Sequence, residues 1–237
     1  MAKLDPVTKQ NNKYDHHDDK LKGAKEADLT FGSLDPSSTD DGAGPTGNMT
    51  VGSGIPATNF NIFTNHDENI ELALKLHNRG GPDIIPTGFD ADGTANYIAP
   101  DGNQAPNRAA WNFDFAVNTG IEGSTKTLDD YDFRIVIESG DGERAVFNLQ
   151  HDAPGVTPWR EAGGPGQFND DDGFGPGAAV LGGSPQISQN SVNFGFGFMQ
   201  AIFGADYNDA GEHYEIDLQA FDGLRMVGQV SIDIDIA

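Results

Sequence analysis

The sequence predicts an all-β protein: an antiparallel β-sandwich or jelly roll with long Gly/Pro-rich loops and an extended N-terminal arm. Three observations carry that reading. Apolar residues recur with a period of two in several separate runs, turn-forming residues punctuate those runs, and no stretch shows a convincing helical period. About seven or eight short strands with irregular connections suit two packed sheets. No self-similarity appears at a fixed spacing, which argues against a solenoid or propeller.

Residues 1–58 are the arm. They hold few large apolar residues and many of Lys, Asp, Gly, Ser, Thr and Pro, too little apolar surface to offset the entropy of ordering a chain. Leu29 to Leu34 is the one place where the arm can dock, through Leu29, Phe31 and Leu34. Residues 59–237 form the β-sandwich domain. Ile70, Leu72, Leu74 and Leu76 alternate with Glu71, Ala73 and Lys75. Propensity favours a helix there and the period favours a strand; we follow the period.

Gly80 to Pro106 reads as a turn-rich connection with a short strand at Ala95 to Ala99. Trp111, Phe113, Phe115 and Val117 mark one strand, and Tyr131, Phe133, Ile135 and Ile137 another. The latter turns at Gly140-Asp141-Gly142 into Arg144 to Leu149, a hairpin. Asp152 to Ile187 holds nine glycines and five prolines, which no regular element tolerates. Val192, Phe194, Phe196 and Phe198 alternate with Asn193, Gly195 and Gly197, which predicts an aromatic strand. The last hairpin runs from His213 to Phe221, turns at Asp222-Gly223, and returns from Leu224 to Ile236.

Composition narrows the function. Net charge is −23, and it is uneven: residues 1–26 hold six lysines against five acids, a net of +1, while the remainder holds 8 basic and 32 acidic residues, a net of −24. Such a surface repels phosphate backbones and anionic membranes, so neither nucleic acid nor membrane insertion is expected. There is no cysteine, hence no disulfide or thiolate site, and no run of apolar residues long enough to span a bilayer. Met1 to Asp19 has no apolar signal-peptide core. An acidic, glycine-rich, cysteine-free chain without a leader resembles substrates of bacterial type I secretion, which carry a C-terminal signal. Asp235-Ile236-Ala237 has the form of such an ending. The simpler reading of Asp233 and Asp235 is the solvent face of the last strand.

Four ordered segments carry a family resemblance: Asn69 to His77; Trp111 to Phe115 with Val117-Asn118-Thr119; Ser188 to Ser191; and Ala220 to Gly223. Over roughly residues 60–236 the chain resembles a group of bacterial exported proteins, many bearing PEP-CTERM-type sorting tails, without characterised activity. The resemblance implies an extracellular or cell-surface β-rich domain and supplies no catalytic residues. This chain departs from the commoner forms in having neither a leader nor a hydrophobic sorting tail.

The chemistry-bearing candidates are aspartates and asparagines in glycine-containing loops. Asp90 and Asp92 precede Gly93, with Asn96 beyond; Asp170 and Asp172 precede Gly173; Asp206, Asn208 and Glu212 flank Gly211. Carboxylates two apart beside a permissive glycine can wrap Ca²⁺ with oxygen ligands. The same residues also favour ordinary turns. His16-His17-Asp18-Asp19 lies in the arm, and His213 beside Glu212 and Glu215 is an acid–base candidate. Trp159, in the Gly/Pro-rich loop, is a candidate for stacking on a sugar, whereas Trp111 faces the core. No serine elbow, HExxH or phosphate loop occurs. The expectation is a non-enzymatic extracellular structural or matrix protein, calcium-stabilised and assembling with itself through the arm or edge strands. The alternatives are a module binding surface glycan or, further off, a hydrolase with a dispersed acidic site.

Overall fold

A computed structural model describes residues 27–35, 55–79, 83–105, 108–148, 186–195 and 197–237. These form, in order, β1 (Ala27–Gly32), β2 (Phe60–Asn65), β3 (Ile70–Asn78), β4 (Gly88–Phe89), β5 (Ala95–Ala99), β6 (Asn103–Ala105), β7 (Arg108–Ala109), β8 (Trp111–Asn118), β9 (Asp132–Ser139), β10 (Arg144–Asn148), β11 (Ile187–Asn193), a short helix α1 (Gly197–Phe203), β12 (His213–Asp222) and β13 (Arg225–Ile236). One sheet has the order β1-β2-β3-β8-β11, and the other β10-β9-β12-β13-β5-β4; β6 and β7 make a small separate ribbon. All pairings among the described residues are antiparallel except β5 with β13. The protein is an all-β sandwich.

The alternating residues build the layer between the sheets. Leu72, Leu74 and Leu76 of β3, Phe113 and Phe115 of β8, Phe133, Ile135 and Ile137 of β9, and Ile232 and Ile234 of β13 belong to one buried cluster. Fully burying a side chain of this size contributes about 1.5–3 kcal/mol. The helix-forming residues of β3 end as a strand because β2 and β8 pair with it on both sides; tertiary pairing overrides propensity. A second, smaller cluster covers the opposite face of the five-stranded sheet, joining Leu34, Ile55 and Ala57 to Phe60, Ile62, Ala73 and Ala116. That sheet is therefore covered on both faces over this region.

Ala27–Gly32, within the stretch read as the arm, is an edge strand of the first sheet. The predicted aromatic strand over 192–198 needs correction. Its strand ends at Asn193 and the chain enters α1 at Gly197. Two contacts turn it. Asn193 Oδ1 accepts from the amides of both Ala109 and Gly195 at 2.9 Å. At Gly195 the chain passes so close to β7 that a Cβ would sit 2.1 Å from the Ala109 nitrogen. Phe194 then stacks on Trp111 with ring centres 4.5 Å apart. The final hairpin turns one residue later than predicted: Asp222 faces Arg225, leaving Gly223-Leu224 as the turn, with Gly223 at φ 60°. Of the Gly/Pro-rich stretch, residues 152–185 lie outside the described residues.

Candidate functional site

Strand β1 and the surface that receives it form the most distinctive site. β1 runs antiparallel to β2, from Ala27 opposite Asn65 to Gly32 opposite Phe60. Just beyond it, the Leu34 amide donates to the Ala57 carbonyl at 2.9 Å and the Asp35 amide to Glu71 Oε2 at 3.0 Å. Leu34 is buried in the second cluster. Leu29 and Phe31 instead remain 44% and 39% exposed. Phe31 packs edge-to-face on Phe89 of β4, with centroids 5.5 Å apart, so the edges of the two sheets meet here. Leu29 crosses the Asp90–Thr94 loop at Gly93, where a Cβ would lie 2.6 Å from its Cδ1. It also walls a shallow depression with Asp92, Thr94, Met226, Gln229 and Ser231.

A histidine ties the strand down at its start. His66, in the β2–β3 turn, bonds Glu122 Oε1 through Nδ1 at 2.7 Å and approaches Asp28 Oδ2 of β1 through Nε2 at 3.3 Å. Those two hydrogen-bonded carboxylates, Glu122 foremost, raise its pKa above the ordinary histidine value.

Two residues lining the depression, Gln229 and Ser231, belong to a polar network on the second sheet. Asp217 and Gln219 on β12, with Gln229 and Ser231 on β13, share one hydrogen-bond network. Ser231 Oγ donates to Asp217 Oδ1 at 2.6 Å, Gln229 Nε2 donates to Asp217 Oδ1 at 3.2 Å, and Gln219 Nε2 donates to Asp217 Oδ2 at 3.3 Å. Farther along that sheet His213 sits between Asp233 and Asp235, with Nε2 3.0 Å from the former and Nδ1 2.9 Å from the latter. Its partners come from β13, across the strand pairing, and not from the Glu212 and Glu215 that neighbour it in sequence. Burial raises the Asp233 carboxyl, with Asp235 and Asp90 adding to the rise and His213 opposing it.

Two of the three predicted cation loops lie within the described residues. Asp90 Oδ1 accepts from Asn96 Nδ2 at 3.0 Å, and Asp92 Oδ1 accepts from the Thr94 amide at 3.1 Å, closing a turn. Asn208 is buried: its Oδ1 accepts from Trp111 Nε1 at 3.0 Å and its Nδ2 donates to the Gly102 carbonyl at 2.6 Å. Asp206 and Glu212 lie in the same connection, α1 to β12, as Asn208. Burial raises the Glu212 carboxyl, and the charges of Asp206, Asp141 and Asp209 raise it further. Among the described residues no group of three or more His, Asp or Glu is arranged to hold a metal ion. Asp170, Asp172 and Trp159 lie outside the described residues.

Sequence reading missed a buried charged group on the covered face of the first sheet. Lys75 is fully buried, its Nζ donating to the carbonyls of Pro56 at 2.8 Å and Thr58 at 3.3 Å, with Asp83 at 3.4 Å. Opposite it in register, Asp114 is also fully buried; its Oδ2 bonds His77 Nδ1 at 2.6 Å, and its Oδ1 has no partner. A period of two placed Lys75 and Asp114 on a wet face, and nothing local in the sequence announces the segment that covers them. Comparison with protein-family models, with curated proteins and with solved structures gave no match.

Proposed function

We propose that this chain is a non-enzymatic structural protein of a cell surface or extracellular matrix, associating with copies of itself through strand β1. The observation that carries the reading is the placement of Leu29 and Phe31. They lie half-exposed on an edge strand, beside Phe89 on the edge of the other sheet. A sheet edge flanked by apolar side chains is a template for pairing with another chain. A net charge of −23 keeps such a protein soluble until its edges meet. Calcium enters as a stabiliser of the acidic connections: a divalent cation would relieve the mutual repulsion of Glu212, Asp206, Asp141 and Asp209.

Light scattering on the full chain tests the association, comparing it with a Leu29→Ser/Phe31→Ser variant. Multiples of the chain mass that disappear in the variant support the reading, and an unchanged mass distribution sinks it. A thermal midpoint raised by Ca²⁺ relative to EDTA supports the stabilising role. A second reading, binding of a surface glycan, is favoured by Gln229 and Ser231, which line the depression with Leu29 and are hydrogen-bonded to Asp217. A glycan-array signal lost in Gln229→Ala supports it, and a signal that persists removes that site.

A further inference from the structure

A buried amine held against a carboxyl has a reaction open to it that an exposed ion pair lacks. The Lys75 side chain is 0% exposed, and its Nζ lies 3.4 Å from Oδ2 of Asp83, whose side chain is 19% exposed. Taking an ammonium and a carboxylate out of water is costly, and transfer of one proton between them cancels both charges. That leaves a free amine in contact with a carboxylic acid. Lys126 and Glu68 lie closer, at 2.9 Å, but that lysine is 43% exposed and solvent keeps the pair ionised.

We propose that Lys75 and Asp83 condense into an amide, a covalent cross-link that the folded protein forms by itself. The lone pair of Nζ attacks Cγ of Asp83, a carbon–nitrogen bond forms, and one carbon–oxygen bond of the carboxyl breaks. The departing oxygen leaves as water, and both protons of that water come from the original ammonium. No oxidant, cofactor or second protein enters the balance. Holding the two groups in contact supplies the drive, since positioning of this kind is worth effective concentrations of about 10⁵ M or more.

The neighbours of the pair suit the steps. Asn59 Nδ2 donates to Asp83 Oδ2 at 3.2 Å, so it stabilises the charge that gathers on that oxygen as Nζ attacks. Asp114 stands opposite Lys75 in register, fully buried, with Oδ1 unpartnered, and is the group assigned to relay the second proton. The Phe60 ring, 4.9 Å from Nζ, adds an apolar wall. Nζ now serves the carbonyls of Pro56 at 2.8 Å and Thr58 at 3.3 Å, and the amide N–H retains one of them. The bond would fasten β3 to the connection that leads to β4, a covalent tie that a chain without cysteine cannot make by disulfide. It holds whether or not the chain associates with itself.

Intact mass of the purified full chain, read in denaturant after prolonged incubation in the folded state, tests the proposal. The cross-link predicts a chain lighter than its sequence by one water. Trypsin then cuts after Arg79 but leaves the peptides carrying Lys75 and Asp83 joined, and this map needs no variant. Asp83→Ala should restore the full mass, and Asp114→Asn should slow the loss of water. Asp-Gly steps such as Asp92-Gly93 also lose water as cyclic imides; that loss persists in Asp83→Ala and reverses in mild base. A chain wholly at its sequence mass, or a water loss that leaves the two peptides separate, overturns the cross-link and leaves an ordinary ion pair. A water loss equally fast in Asp114→Asn removes the relay.

Discussion

Asn61 of the first sheet donates through Nδ2 to the Ser231 carbonyl of the second at 2.9 Å, and to the Gly93 carbonyl at 3.0 Å. β5 pairs with β13 only from Ile232 onward, so the Ser231 carbonyl lies just before that ladder begins. A side-chain amide thus takes the place of a strand backbone, and Asn65 repeats the device on the Val227 carbonyl at 2.7 Å. Asn61→Leu keeps the volume and leaves the Ser231 and Gly93 carbonyls without these bonds. Each such loss costs about 1–3 kcal/mol. Chemical denaturation is expected to show a lower midpoint at unchanged slope; an unchanged midpoint would mean that the sheets are joined by apolar packing alone.

Lys75 is a fully buried polar anchor on the covered face. Its ammonium holds the Pro56 and Thr58 carbonyls and lies 4.9 Å from the centre of the Phe60 ring. Lys75→Met removes the charge and leaves the Pro56 and Thr58 carbonyls without this donor, while Asp83 keeps its bond from Asn59 Nδ2. Each buried acceptor left unpaired costs about 1–3 kcal/mol. By contrast, Arg144→Ala breaks an ion pair with Glu138 whose members are 37% and 42% exposed, and it should change stability by less than about 1 kcal/mol. Equal effects from the two substitutions, measured by urea unfolding, would contradict the role assigned to Lys75.

Where the sequence was legible, the reason was a period of two against one continuous core. β3, β8, β9, β12 and β13 are strands over the residues their alternation marked, because Leu72, Phe113, Ile135, Ile216 and Ile232 all point into one layer. The reading failed at residue 194, where alternation continued past a point at which the backbone of β7 allows no side chain. It was blind to the covered face for a related cause. Whether Lys75 and Asp114 meet water depends on residues 33–35 and 55–59 folding back, a long-range event with no local pattern. The candidate site was half visible: Leu29, Phe31 and Leu34 stood out as apolar residues in a polar arm. Gly93, Phe89 and His66, which receive them, carried no such mark.

Gly195 and Gly228 both allow close approach, and they should differ in what they tolerate. A Cβ at Gly228 would lie 2.9 Å from Leu72 Cδ1 and from Phe63 Cε1, the ends of side chains that can shift. A Cβ at Gly195 would lie 2.1 Å from the Ala109 nitrogen and 2.6 Å from the Arg108 carbonyl carbon, which are backbone. Overpacking of the first kind costs about 1–3 kcal/mol. Gly195→Ala should cost more, lowering the thermal midpoint further than Gly228→Ala does. The reverse order would mean that β7 gives way more easily than the layer between the sheets.

The His66 contacts make the docking of β1 depend on pH. Hydrogen bonds donated to Glu122 first, and to Asp28, raise the histidine pKa above 6.5 in the folded state. A group raised on folding contributes stability that is fully present below its unfolded value and lost as pH rises through its folded value. His66 faces Asp28 on β1 and Glu122 in the Ile121–Gly123 turn, so only one of its two bonds holds the strand. Exchange of the β1 amides, corrected for the intrinsic effect of pH, should therefore quicken from pH 6 to pH 8 while the amides of β12 hold their protection. His66→Gln keeps a donor without the titration and should flatten that difference. A β1 profile that stays equally steep in His66→Gln would place the control of this strand elsewhere.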